Sequence, residues 1–173
     1  MFYVQRWWIL PLVTEGDVTV TVTDGTDAIS GATVTIANAD DLSDSETTDS
    51  DGEATFQDID NGTYTITASK TNYTTETKSI IVNGDTEVEI ELTPTRTVTF
   101  TVNDGTDPIQ SATVTIDGDT EGKKTTGSSG GCTATLSDGE HEIVVAKDGY
   151  TSKTETITVD STHSSFTISL ETA

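Results

Sequence analysis

The chain is poor in the residues from which most active sites are built. Its 173 residues include one cysteine and two histidines. A single cysteine forms no internal disulfide and no metal–thiolate cluster. Two histidines leave little material for acid–base or metal chemistry near neutral pH. Basic residues are scarce too: 8 Lys and Arg stand against 30 Asp and Glu, a formal charge of -22. A field so negative repels nucleic acid and anionic membrane surfaces. No apolar run approaches the ~18 residues that a membrane-spanning helix needs. Hydrophobic residues make up only 32%, a share that with high charge can signal disorder.

What is present argues for order instead. Threonine supplies 38 residues, and it alternates with apolar residues, as in Val18-Thr-Val20-Thr-Val22 and Val34-Thr-Ile36. Period two marks a strand with one buried and one wet face. Threonine is β-branched, so it favours the extended backbone while offering a hydroxyl to water. The chain also repeats itself. VTVTVTDGTDAISGATVTI (18–36) matches VTFTVNDGTDPIQSATVTI (98–116) at an offset of 80. The register is expected to hold to Phe56 and Leu136, after which the offset becomes 77 and residues 61–82 match 138–159.

Each copy divides into about seven short strands between Asp-Gly, Asn-Gly and Gly-rich turns, which favours a β-sandwich. Strands are predicted near 18–23, 32–37, 45–48, 53–57, 62–69, 77–82 and 86–92. In the second copy they fall near 96–103, 112–117, 123–126, 132–136, 139–146, 153–159 and 164–170. The inward set of copy one is expected to be Val18, Val20, Val22, Ala32, Val34, Ile36, Phe56, Tyr64, Ile66, Ala68, Ile80, Val82, Val88, Ile90 and Leu92. The expected organisation is a segment 1–16, a repeat 17–93 and a repeat 94–173. The Thr93-Pro94-Thr95 join suggests a semi-rigid tandem.

The stretch DGTDPIQSATVTI resembles the opening of carboxypeptidase regulatory-like domains, which group with Cna-B and transthyretin-like sandwiches. TDSDGEATFQDIDNGTYTITASKTNY (48–73) is similar to the same family's later "G-x-Y-x-I" and "K-x-G-Y" segment, which Asp148-Gly149-Tyr150 keeps more closely than Thr71-Asn72-Tyr73. The resemblance covers nearly everything from residue 17. It implies an all-β fold of two tandem Ig-like or prealbumin-like seven-stranded sandwiches, and a general-purpose spacer and display module. Many Cna-B domains carry an isopeptide bond between a first-strand Lys and a last-strand Asn. Strands 18–23 and 96–103 contain no Lys, and 86–92 and 164–170 no Asn, so no such bond is expected.

MFYVQRWWILPLV (1–13) stands outside the repeat. It holds both tryptophans, no acid and a charge of +1, whereas 14–94 carries two lysines against eighteen acids and 95–173 five bases against twelve. Three readings compete. As a signal peptide it has a thin basic region, a short apolar stretch broken by Pro11 and no small-residue cleavage site. As a folded-back strand it would cover an edge of copy one. As a docking peptide it would insert Phe2, Tyr3, Val4, Arg6, Trp7, Trp8, Ile9, Leu10 and Leu12 into a protein partner, a capsid, tail or filament subunit. Trp, Tyr and Arg dominate interface energy when centrally buried. A buried Trp or Phe contributes roughly 2–3 kcal/mol by area.

Other candidates are weaker. Asp40, Asp41, Asp44, Glu46, Asp49 and Asp51 crowd loop 37–51, but their spacing fails the EF-hand rule and loop 117–131 loses most of them. No metal or other cofactor is therefore expected. Asn61 and Asn72 begin N-glycosylation sequons, which matter only in an exported protein. Cys132 suits a small core position. His141 aligns with Tyr64 and so suits packing, and no Ser, His and Asp grouping presents a nucleophile.

These features predict a non-enzymatic structural protein. The first expectation is a virion decoration or fibre protein on the particle surface, anchored by residues 1–13, of a virus whose host is halophilic. The second is an extracellular or cell-surface protein: an adhesin, or a pilin-like filament subunit whose N-terminal peptide serves as a donor strand. The third is a carbohydrate-binding accessory module, with a host-surface glycan as ligand. An unprocessed Met1 would favour the first and a cleaved precursor the second. Homo-oligomers or symmetric assemblies suit the first two.

Overall fold

The computed structural model describes residues 14–39 and 43–173. Its secondary structure is entirely β. Unit 1 contains β1 (Glu15–Thr23), β2 (Thr33–Ala37), β3 (Ser43–Thr47), β4 (Glu53–Asp60), β5 (Gly62–Ser69), β6 (Glu76–Val82) and β7 (Thr86–Glu91). Unit 2 contains β8 (Thr95–Asn103), β9 (Thr113–Ile116), β10 (Asp119–Thr125), β11 (Gly131–Ser137), β12 (Gly139–Ala146), β13 (Lys153–Val159) and β14 (Ser165–Ser169). The alternating pattern therefore marks strands in both halves, most of them within two residues of the predicted bounds. The largest departures are β10, which starts four residues early, β1, which starts three early, and β4, which runs three further.

Each unit is a sandwich of a three- and a four-stranded sheet. Unit 1 pairs the order β4-β1-β7 with β3-β2-β5-β6, and unit 2 pairs β11-β8-β14 with β10-β9-β12-β13. The last strand of each unit runs parallel to the first: Val20 lies beside Val88, and Phe100 beside Phe166. All other pairings between strands are antiparallel. Residues 72–74 group with unit 2. There the Thr95 amide donates to the Asn72 carbonyl (2.6 Å) and the Thr74 amide to that of Thr93 (2.8 Å).

The core of unit 1 consists of the expected inward residues with four exceptions. Ile29, Ala54 and Ile59 are buried as well. Ile80, expected inside, is half-buried, because β6 is an edge strand that the facing sheet covers incompletely. In unit 2, Val98, Phe100, Val102, Ile143, Val145 and Ile168 form the centre.

The repeat alignment needs correction after residue 36. Val18 pairs with Phe56 and its counterpart Val98 with Ala134; Val20 pairs with Ala54 and Phe100 with Cys132. The offset there is 78, so Phe56 corresponds to Ala134 and not to Leu136. Two residues are lost, net, between β2 and β4: the five-residue β2–β3 loop has a two-residue counterpart, while β10 gains an irregularity between Asp119 and Lys124. In unit 2 the loop shrinks to Asp117-Gly118, both at positive φ (49° and 71°). That is the two-residue turn whose twist suits a tight hairpin. The third is lost at a bulge between Gly16 and Val18, opposite Asp58 (φ 54°).

Candidate functional site

The residues expected to dock a partner, Phe2, Tyr3, Val4, Arg6, Trp7, Trp8, Ile9, Leu10 and Leu12, lie outside the described residues. So do Asp40 and Asp41. The remaining acids of loop 37–51 are spread along the backbone and do not gather into a site. Asp44 and Glu46 sit on β3. Asp49 Oδ1 accepts from the amides of Asp51 (2.9 Å) and Glu53 (3.0 Å). In unit 2, Asp119 does the same for Glu121 and Gly122. Among the described residues no three His, Cys, Asp or Glu side chains converge on a point that could hold a metal ion.

The buried polar groups serve the fold. Thr48 and Thr126 are 3% exposed. The Thr48 hydroxyl donates to the Ile29 carbonyl (2.6 Å) and accepts from the Ala32 amide (2.8 Å). Thr126 repeats both bonds with Ile109 (2.6 Å) and Ala112 (2.9 Å). Each threonine thus ties the loop after the first strand to the start of the second. The lysine of each "K-x-x-Y" segment closes the same loop from outside. Lys70 donates to the carbonyls of Ser30 (2.7 Å) and Gly31 (2.8 Å), and Lys147 to that of Ser111 (3.4 Å).

His141 is the most unusual titratable group. It takes the place of Tyr64, whose hydroxyl donates to the Asp60 carbonyl (2.9 Å). His141 Nε2 bonds the corresponding Ser137 carbonyl (2.9 Å), while Nδ1 meets Asp117 Oδ2 at 2.6 Å. Asp117 Oδ1 also accepts from the Glu142 amide. Both ring partners are acceptors, so both nitrogens donate when the ring is protonated. Burial opposes a charge on the ring, but the bonds to Asp117 and Ser137 and the carboxylate's charge outweigh it and raise the His141 pKa. Burial likewise opposes the Asp117 charge, yet His141 and the Glu142 amide hold its pKa below the ordinary carboxylate range. With the ring about 10% exposed and Asp117 half exposed, the pair fastens β12 to the β9–β10 turn, as an ion pair when the ring is protonated, and a substrate has little access to the ring.

No nucleophile stands beside this histidine. Cys132 is half-buried on β11, where burial raises its thiol pKa and so disfavours the reactive thiolate. His163 belongs to an exposed turn in which Asp160 accepts from Thr162 and His163. Those bonds, the Thr162 hydroxyl foremost, hold Asp160 well below the usual carboxylate range. A shallow cleft of unit 2 is lined by Asp104, Ser152, Lys153, Leu170 and Glu171, with neither histidine nor Cys132 among its residues. The two sequons differ in setting. Asn61 is tied to Gly84 and Asn83 through its side chain, whereas Asn72 lies exposed at φ 68°.

Several solved structures are similar to the chain at low identity. The Bacillus anthracis TIE protein is 17% identical with a TM-score of 0.45, over 92% of this chain and 34% of that one. A streptococcal ancillary pilin is 15% identical with a TM-score of 0.47, over 93% and 63%. The chain thus spans less than two thirds of either protein. The minor pilin GBS52 of Streptococcus agalactiae is 15% identical with a TM-score of 0.48, over 91% and 96%. No curated protein matches the sequence. Family models divide the chain between them: residues 17–95 match the carboxypeptidase regulatory-like domain, and residues 106–173 match the PEGA domain.

Proposed function

We propose that the protein is a non-enzymatic structural subunit of an extracellular or cell-surface assembly, held to a protein partner through residues 1–13. One contrast carries this reading. From residue 17 onward the chain builds sandwiches whose interiors are filled by apolar side chains and whose surfaces are acid and hydroxyl. The segment before them holds both tryptophans, four of the ten aromatic residues and no acid. The polar groups with most chemical potential, His141, Thr48 and Thr126, are consumed in joining loops to strands. This favours the second expectation from the sequence, a surface or filament subunit, over the virion protein. Two of the three solved structures named above are an ancillary and a minor pilin. No observation specifically supports a virion, a halophilic host or a glycan ligand.

Fractionation of the cells that make the protein tests the reading. The full chain should travel with the envelope or with extracellular filaments, and a chain lacking residues 1–13 should appear folded in the soluble fraction. Retention of the shortened chain in the assembly would refute the docking role.

A further inference from the structure

The two outer faces of unit 1 differ in charge. On the face of β4-β1-β7, Thr19, Thr21 and Thr23 are flanked by Glu87, Glu89 and Glu91, with Glu53 on the other side of Thr21. The face of β3-β2-β5-β6 is built otherwise. Its registers align Ser45, Thr35, Thr67 and Thr77 in one row and Ser43, Ala37, Thr65 and Ser79 in the next. Thr47, Thr33 and Ser69 extend it at one end, and Thr63 with Ile81 at the other. Every outward residue of these four strands is uncharged, in a stretch (14–94) that holds eighteen acids. The charged residues of the two edge strands occupy the other side of the sheet. Glu46 and Asp44 lie opposite Val34 and Ile36, and Glu76 and Lys78 opposite Ala68 and Ile66. Ile81, 74% exposed, is the large hydrophobic side chain that the described residues leave in water, and it lies on this same face.

We infer that the outer face of β3-β2-β5-β6 is a self-association surface that takes a second copy of this chain, face to face about a two-fold axis. The charge distribution selects the occupant. A cationic partner is drawn to the glutamate face, where its charge is matched. A glycan finds no aromatic platform among these residues. Another acidic copy is repelled everywhere except where neither surface carries charge, and this face meets that condition. Its side chains are short, so two such sheets can approach to the ~10 Å of ordinary sheet packing. An isologous contact also covers Ile81 on both copies. Edge-to-edge pairing through β3 is discouraged by the inward-side Asp44 and Glu46. The equivalent face of unit 2 carries Glu140 and Glu142 beside Thr158 and Thr156, which assigns the surface to unit 1.

Sedimentation of the full chain over a concentration series in moderate salt tests the inference. A monomer–dimer equilibrium is expected. Thr33→Glu with Ser79→Glu, on separate strands, should weaken it by about tenfold or more through like-charge opposition. Thr55→Glu with Gln57→Glu, on the opposite face, should leave it unchanged. Ile81→Ser, which adds no charge, should weaken it too and decides the matter if the first pair fails to fold by circular dichroism. A chain monomeric at every concentration, or a dimer indifferent to the folded variants on this face, overturns the inference. Association lost only on deleting residues 1–13 also overturns it, while leaving the docking role intact.

Discussion

Two threonines and a histidine carry polar chemistry into the cores, and each has a measurable consequence. Thr48→Val keeps the shape but leaves the Ile29 carbonyl and Ala32 amide without their partner. Leaving such buried groups unsatisfied costs about 1–3 kcal/mol, which a shift in the urea midpoint would register. His141 gives a pH dependence with a definite sign. Its native pKa lies above the ordinary 6.5, so its charge stabilises unit 2 fully below that value and ceases to as pH rises through the native pKa. Asp117 lies below the ordinary 3.8, so its contribution is present above that value and is lost as pH falls through its native pKa. The pair is therefore most stabilising between those two ordinary values. Asp117→Asn should lower the His141 pKa in an NMR titration, and an unchanged value would refute the pairing. The sequence showed little of this. Alternation assigns threonine to the wet face, and Thr48 and Thr126 lie just past strand ends where alternation has lapsed. Ile29 was missed for the same reason, since it lies in a loop with no period to place it.

At the level of elements the sequence was far more legible. Period-two runs and Gly-containing turns located the strands, because each strand buries one face in a core and wets the other. Lengths of loops were less so. The match of VTVTVTDGT to VTFTVNDGT says nothing about where residues are lost later, and only cross-strand pairing puts Phe56 opposite Val18 and Ala134 opposite Val98. The charge-free face was also illegible, since it emerges only when four strands are set in register. Gly52 illustrates a turn that permits one residue type. Its φ is 78°, and an added Cβ would lie 2.6 Å from the Val22 carbonyl oxygen. Gly52→Ala should therefore destabilise unit 1 by about 1 kcal/mol or more, measured as a lower unfolding midpoint. The edge strand β3 makes a second prediction. Replacing both Asp44 and Glu46 with Val would remove the charges that guard its edge, and light scattering should then report faster aggregation at equal concentration.

For the molecule as a whole, charge and aromatic residues are distributed unequally. Residues 14–94 carry eighteen acids against two lysines, and 95–173 twelve against five bases. Self-repulsion weakens the compact state and is screened by salt. Unfolding midpoints should thus rise with salt, more steeply for unit 1 than for unit 2, and a flat response would remove repulsion as a determinant of stability. The tryptophans test the central claim directly, because Trp7 and Trp8 are the only two in the chain and both lie in residues 1–13. Their emission reports on that segment alone, while far-UV circular dichroism reports on the sandwiches. In a dilute denaturant titration of the isolated chain, a segment reserved for a partner predicts emission typical of tryptophan in water throughout, with no change where the circular dichroism is lost. Blue-shifted emission that reddens together with the sandwich transition would contradict the account, and would make residues 1–13 a part of the fold of unit 1.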